Sequence, residues 1–251
     1  MSNDGMVNKV VLVTGGGTGI GKSAAVRCAR KGAKVAVNYA HSRQEAESTV
    51  SELRELGTAA SAYCADVGHD SEVREMFARI EAELGLVDYL VSNAGVTRFV
   101  PYDDLEALTD EVWDSILAVN LKGTFHCARA AALHMRKSGH GGAMVIVSST
   151  AAVSGHGSSI AYAASKGALI TLTKSLALAF APGIRVNGGA PSVVETRWTA
   201  GWDEFKRKSL SETPLARIAT PDDVSEVIVS LLDSASFLTG QTIVVDGGRY
   251  I

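Results

Sequence analysis

Tyr162 and Lys166 stand four residues apart in the run Tyr162-Ala163-Ala164-Ser165-Lys166. On a helix, positions i and i+4 share a face, so an ammonium would lie beside a phenol. A neighbouring cation stabilises the phenolate and lowers a tyrosine pKa from about 10. Tyr162 would then give or take a proton near neutral pH. Ser149 follows the apolar run Met144–Ser148 and could offer a hydroxyl to the same substrate oxygen. This spacing alone is common on wet helix faces. Here its neighbours are Ala161, Ala163, Ala164, Gly167 and Ala168, too little charge for a solvated face, so Lys166 is expected to point into a site.

A second cluster follows the apolar run Val10–Val13. Thr14-Gly15-Gly16-Gly17-Thr18-Gly19-Ile20-Gly21 leads into a helix, where phosphate binds at exposed N-terminal amides. Glycine matters because a Cβ would hold a pyrophosphate away from those N–H groups. The segment fits two templates. Gly16 to Ser23 matches the P-loop pattern GxxxxGK followed by Ser or Thr, with Asp246 offered as the acidic strand end for magnesium. Thr14, Gly15, Gly19 and Gly21 instead fit a dinucleotide turn of the form TGxxxGxG. The P-loop reading accounts for Lys22, Ser23 and Asp246 and nothing beyond them, so the dinucleotide reading is preferred.

These residues need a frame. Short β-branched runs recur at Val10–Val13, Val35–Tyr39, Ala59–Ala65, Tyr89–Ser92, Met144–Ser148, Arg185–Asn187 and Thr242–Val245, with helical patterns between most of them. Val73, Met76, Phe77, Ile80 and Leu84 mark one helix that Gly85 closes. Another opens at Thr220-Pro221-Asp222-Asp223. Strands alternating with helices predict an α/β fold: a single-domain, Rossmann-like, doubly wound parallel sheet of about seven strands, covered on both faces. Open sheets of this kind bind ligands at the carboxyl ends of their strands. The stretch Ser192–Ile218 lacks a period and carries Trp198, Trp202 and Phe205, which predicts a substrate lid. A helical hairpin packed through those aromatics is the alternative.

Composition narrows the function classes. The chain has 251 residues, 24 basic and 27 acidic, with a net charge of −3. That excludes a strongly basic nucleic-acid binder acting through bulk electrostatics and gives no steering toward anionic membrane. With 46% hydrophobic and 20% charged residues, the chain is too apolar for disorder. Cys28, Cys64 and Cys127 are odd in number and far apart, so no disulfide framework is indicated. Met1–Asn8 shows no apolar signal region and no stretch is built to span a bilayer; a cytoplasmic protein is expected. His134 and His140 lack a nearby ligand pair, so no metal site is expected.

The ordered motifs together resemble the short-chain dehydrogenase/reductase family over nearly the whole length. They are the Thr14–Gly21 loop, Asp66-Val67, Ser92-Asn93-Ala94-Gly95, Asn120, Ser149, Tyr162/Lys166, Pro191 with Thr196, Leu238-Thr239-Gly240-Gln241 and Val245-Asp246-Gly247-Gly248. Within it the chain looks most like 3-oxoacyl-carrier-protein reductases and glucose-dehydrogenase-like members. The resemblance implies that Tyr162 exchanges a proton with the substrate oxygen and that Lys166 lowers its pKa and binds the nicotinamide ribose. It implies that Ser149 orients the carbonyl and that Asn120 holds a water relaying protons to Lys166. Gly15, Thr18, Gly19, Ile20, Asn93, Ala94, Gly95, Pro191, Val194 and Thr196 would line the cofactor, with Asp66 and Val67 at the adenine. A homotetramer is likewise implied. It also agrees with the apolar helix expected over about Ser159–Phe180, which one sheet face cannot bury alone, and with its expected partner helix from Thr109 to about Lys137.

Cofactor choice is read at the end of the second strand. NAD preference generally needs an acid there; this chain has Tyr39. His41, Ser42 and Arg43 could meet a 2′-phosphate, so NADP(H) is favoured over NAD(H). Two departures stand out. Ser192 replaces the glycine that usually follows Pro191, and would be strained if that glycine sets a positive φ. Gly188-Gly189 stands where bulkier residues are common. The loop Ala151–Ile160 should face the substrate, and His156 in it could touch a polar group. The reading is an NADP(H)-dependent oxidoreductase acting on a carbonyl or secondary alcohol. A dinucleotide-binding sensor without turnover and the P-loop NTPase are the alternatives.

Overall fold

The structure, a computed structural model, describes residues 6–250. Seven strands form a parallel sheet in the order β3-β2-β1-β4-β5-β6-β7. They are β1 Val10–Val13, β2 Lys34–Tyr39, β3 Ala60–Cys64, β4 Val87–Ser92, β5 Gly142–Val147, β6 Ile184–Pro191 and β7 Thr242–Val245. The helices are α1 Gly19–Arg30, α2 Arg43–Glu55, α3 Asp70–Glu83, α4 Asp110–Leu117, α5 Thr124–Ser138, α6 Ala151–Ser154, α7 Ile160–Phe180, α8 Asp203–Glu212 and α9 Pro221–Asp233. No helix among the described residues is long and apolar enough to cross a membrane.

The two-faced burial explains the unbroken apolar strands. Val10 and Leu12 enter one core with α3, α5 and α7, while Val11 and Val13 enter the other with α1, α2 and α9. Successive side chains of a strand point to opposite faces, so both sets must be apolar when both faces are covered. Helix α9 is fastened at both ends. Thr220 and Asp223 form a capping box with Pro221 in the first turn, and Arg217 grips Asp223 through two bonds of 2.6 Å. At the other end the Arg185 guanidinium donates to the carbonyls of Leu231 (2.7 Å), Leu232 (2.6 Å) and Ala235 (3.0 Å). The Leu231 and Leu232 carbonyls belong to the last turn, which lacks intrahelical donors and carries the negative end of the helix dipole.

Two expectations need correction. The stretch from Thr109 to Lys137 is not one uniform helix: a π-helical turn, Ala118–Gly123, separates α4 from α5. Gly123 packs so closely on the Val67 loop that a Cβ there would lie 2.7 Å from Val67 Cγ2 and 3.1 Å from its carbonyl oxygen. The turn also carries Asn120 into the interior, where the residue is wholly buried. Ser192–Ile218 is not structureless either. It holds a 3-10 turn, Arg197–Thr199, and helix α8.

His134 gives the core a pH dependence. Its Nδ1 accepts the Val87 N–H at 3.2 Å and its ring stands edge-on to Phe77. Burial holds its pKa below the usual value of 6.5, opposed by Glu81 and aided, less strongly, by Lys137. The stability carried by neutral His134 is therefore complete above about 6.5 and is lost as pH falls from there toward the folded-state pKa. The urea midpoint is expected to drop between pH 7 and pH 5, and His134→Leu should flatten that part of the profile. The variant should also be less stable throughout by about 1–3 kcal/mol, because the Val87 N–H loses its acceptor.

Candidate active site

The strand order reverses beside β1, between neighbours β2 and β4, and a cleft opens at the carboxyl ends there. Its volume is about 340 Å³, within the range that holds small organic molecules. The floor is tied by side chains. Thr14 Oγ1 accepts from the amides of Asn93 (2.9 Å) and Ala94 (3.0 Å), and Asn93 Nδ2 donates to the carbonyls of Thr14 (3.0 Å) and Gly15 (3.2 Å). Buried Asn38 reaches the other way: Oδ1 accepts the Gly15 N–H at 3.4 Å and Nδ2 donates to the Ala65 carbonyl at 2.9 Å. The loop after β1 is thereby fixed to the ends of β2, β3 and β4.

The glycine loop is built for an anion. Helix α1 starts at Gly19, and Thr18 at its N-cap makes no side-chain cap. Its first amides are left for a ligand. Gly15 and Gly19 both take positive φ, and Gly19 faces Thr196. A Cβ on Gly21 would lie 2.4 Å from the Gly15 carbonyl oxygen and 2.6 Å from Asn93 Nδ2. These features fit a dinucleotide pyrophosphate.

At the other end of the cleft, α7 begins at Ser159, whose side chain accepts the Tyr162 N–H at 3.2 Å. One turn on, Lys166 is only 4% exposed. Its Nζ donates to the Val147 carbonyl at 2.9 Å and lies 5.7 Å from the centre of the Tyr162 ring. Gly95 passes directly over it; a Cβ there would stand 3.7 Å from Nζ. Ser149 is held at the end of β5 by the Ala151 N–H at 3.1 Å, and its hydroxyl stands near enough to the Tyr162 phenol to pull its pKa down. Burial pushes the Lys166 ammonium down to about 8 and pushes the phenol up from its usual value, with Ser149 opposing in part. The expected lowering of the phenol by Lys166 is thus not what the geometry gives. Both groups are desolvated, and burial is the largest influence on each.

The cleft brings together Gly15, Thr18, Gly19, Ile20, Ser42, Asn93, Ala94, Gly95, Ser149, Tyr162, Lys166, Pro191, Val194 and Thr196. Tyr39, His41, Arg43, Asp66, Val67 and Asn120 are not among its lining residues. Arg43 is exposed, its Nε 2.7 Å from Glu47 Oε1. Val67 is a core residue whose carbonyl meets His126. Asn120 is a brace: its Oδ1 accepts the Val96 N–H at 2.8 Å, and Nδ2 donates to the Val96 carbonyl (3.1 Å) and Ser165 Oγ (3.0 Å).

The sequence reading missed Asn38, Arg197 and Arg249. A polar residue inside the apolar run Val35–Tyr39 was the available signal for Asn38; the two arginines reach the cleft across the fold and have no local one. His156 lines the cleft, its ring against Tyr102, and Trp198, Trp202 and Phe205 form an aromatic wall there.

Comparison with known proteins agrees with this geometry. A family model described as Enoyl-(Acyl carrier protein) reductase matches residues 15–249. A 3-oxoacyl-acyl-carrier-protein reductase of Staphylococcus aureus is 38% identical over 249 residues, covering 98% of this chain and 99% of its own. The chain belongs to the short-chain dehydrogenase/reductase family. An L-rhamnose 1-dehydrogenase (NAD(P)(+)) of a Sphingomonas species is 38% identical over 248 residues, covering 97% and 96% of the two chains. Among solved structures, a short-chain type dehydrogenase/reductase from Mycobacterium marinum superposes with a TM-score of 0.90 at 30% identity, covering 98% and 96%. Members of this family are NAD(P)-dependent oxidoreductases, and so is this chain.

Membership disposes of the P-loop reading, and the side chains agree. Lys22 pairs with Glu52 at 2.7 Å, Ser23 bonds Asp222 and Ser225, and Asp246 accepts the N–H groups of Gly248 and Tyr250. The Ser192 departure is also harmless to the backbone. Among the described residues the non-glycine positive φ angles belong to Asn8 and Ala216, so Ser192 carries no left-handed strain.

Gly21 gives a direct test of the phosphate loop. Gly21→Ala should lower the melting temperature and abolish nucleotide-induced stabilisation, since its Cβ meets backbone and cannot be accommodated by a rotamer change. Gly183→Ala, with open space around the added Cβ, should leave both unchanged.

Proposed function

We propose that this chain is an NADP(H)-dependent oxidoreductase that interconverts a carbonyl and a secondary alcohol, with Tyr162 as the general acid/base. The observation that carries the reading is the convergence of Ser149, Tyr162 and buried Lys166 at the end of a cleft whose other end is an uncapped glycine-rich helix start. The bound pyridine nucleotide supplies or accepts the hydride.

The protein's part is orientation and proton transfer. Ser149 Oγ and the Tyr162 phenol hold the substrate oxygen between them. As that oxygen gains negative charge, the phenol proton passes to it while the serine hydroxyl stabilises it. The buried Lys166 ammonium lies beneath, a fixed positive charge in a low-dielectric setting that favours the phenolate left behind. The wall of Trp198, Trp202 and Phe205 suits a partly apolar substrate, with His156 available to a polar group.

The lack of an acid at the end of β2, where Tyr39 stands, supports NADP(H) over NAD(H). Segment 192–218 serves as the substrate lid over a single oxidoreductase domain. Exposed Phe125 and Leu133 on α5 and Leu178 on α7 support assembly into a homotetramer through those helices, in a cytoplasmic setting.

The discriminating experiment follows absorbance at 340 nm with a panel of ketones, 3-oxoacyl thioesters and sugars. Tyr162→Phe should reduce kcat by about 10²–10⁴-fold and leave NADPH binding within a few-fold; retained turnover would remove the assigned role. Tight nucleotide binding with no turnover on any carbonyl would favour the sensor alternative. For carbonyl reduction both Tyr162 and Lys166 act in their protonated forms. With Lys166 near 8, kcat/KM should be flat through neutrality and fall as pH rises through about 8.

A further inference from the structure

Arg197 occupies a place that the cofactor reading does not explain. It follows Thr196, whose methyl packs on Gly19 of the phosphate loop, and precedes Trp198 in the aromatic wall. Its side chain does not turn back to the substrate. Nη2 donates to Ser42 Oγ at 3.3 Å and Nη1 bonds Glu45. Both partners lie just beyond the end of β2, at the start of α2, and Ser42 lines the cleft together with Arg197. Thus a residue from the substrate segment crosses the cleft and lands 152 positions away, where an adenosine ribose would sit in a dinucleotide site of this topology.

We propose that Arg197, rather than Arg43, is the residue that reads the 2′-phosphate of NADP(H), exchanging Glu45 for the phosphate when the cofactor binds. The inference rests on the dinucleotide reading above and deepens it. Arg43 lies near Tyr39 at the end of β2, but its Nε is committed to Glu47 and it does not line the cleft. Arg197 presents a planar fork of donors at Ser42, suited to two oxygens of a phosphate at once. Glu45 now satisfies that fork, and its carboxylate is held below the usual range by its own helix amide and then by Arg197. A 2′-phosphate would compete for the same guanidinium, while a bare 2′-hydroxyl would leave the Arg197–Glu45 pair in place.

The test uses two fragments that differ by one phosphate, adenosine 2′,5′-bisphosphate and 5′-AMP, titrated calorimetrically into the intact protein. The wild type should bind the bisphosphate more tightly. Arg197→Ala should weaken the bisphosphate by roughly tenfold or more, the scale of losing a charge-assisted contact, and leave 5′-AMP within about threefold. Arg43→Ala should change neither by more than that margin. Glu45→Gln removes the competing carboxylate and should tighten the bisphosphate, a gain that a misfolded variant cannot mimic. Equal loss of both fragments in Arg197→Ala, a selective loss in Arg43→Ala instead, or no gain in Glu45→Gln would each overturn the assignment. If the wild type binds neither fragment nor NADPH nor NADH, the dinucleotide reading itself fails. If it binds both fragments equally, the assignment to Arg197 and the preference for NADP(H) fail while the dinucleotide reading stands.

Discussion

A charged amine taken out of water is the constraint around which the cleft is arranged. Removing an ammonium from solvent costs several kcal/mol even after local relaxation, and Lys166 has little exposure left to offset it. The Val147 carbonyl receives one of its protons. Several neighbouring choices then follow. The loop after β4 passes over Nζ at residue 95, where an added Cβ would meet it at 3.7 Å. Asn120 ties the Val96 backbone to Ser165, and Ser165 Oγ in turn donates to the Tyr162 carbonyl at 2.7 Å. The brace therefore fixes the loop that covers the lysine and the helix that carries it.

That arrangement also explains why one expectation from spacing failed. Four residues along a helix place the ammonium and the phenol on one face, and this much is legible in the sequence. The electrostatic outcome depends on how much solvent each group loses, which spacing does not contain. With both groups buried, loss of solvent raises the cost of charging the phenol and weakens the ammonium. Only the fold reports that balance.

The frame was more legible than the site. Runs such as Val10–Val13 must be doubly covered strands, because an apolar residue at every position has no wet face to offer, and all seven runs named became strands. The apolar pattern Val73, Met76, Phe77 and Ile80 likewise marks the buried stripe of α3. The π-turn at Ala118–Gly123 left no trace, since a single added residue shifts a helical period too little to see among mixed side chains. Its cause is long-range: the approach of Gly123 to Val67, over fifty positions away. Arg43 and Arg197 show the same limit. The nearer arginine is the natural candidate from sequence, but the (i, i+4) partner Glu47 draws it outward, while the one that reaches Ser42 is brought there by the path of the chain after β6.

The substrate segment joins these two ends of the cleft, and its anchoring sets which parts of it have fixed positions. Arg249, 5% exposed at its side chain, grips Glu212 and donates to Ser209 Oγ at 3.0 Å. Its guanidinium also lies over the rings of Phe205 and Tyr250. Helix α8 is thus bound to the residues that follow β7, and the aromatic wall takes its position from the end of the sheet. The 3-10 turn before it is held differently, by Thr196 against Gly19 and by Arg197 against Ser42 and Glu45. The first anchor belongs to the protein core and is present whatever the cleft contains. The second joins the glycine loop and the start of α2 to the residue before Trp198, so one short turn borders both ends of the cleft.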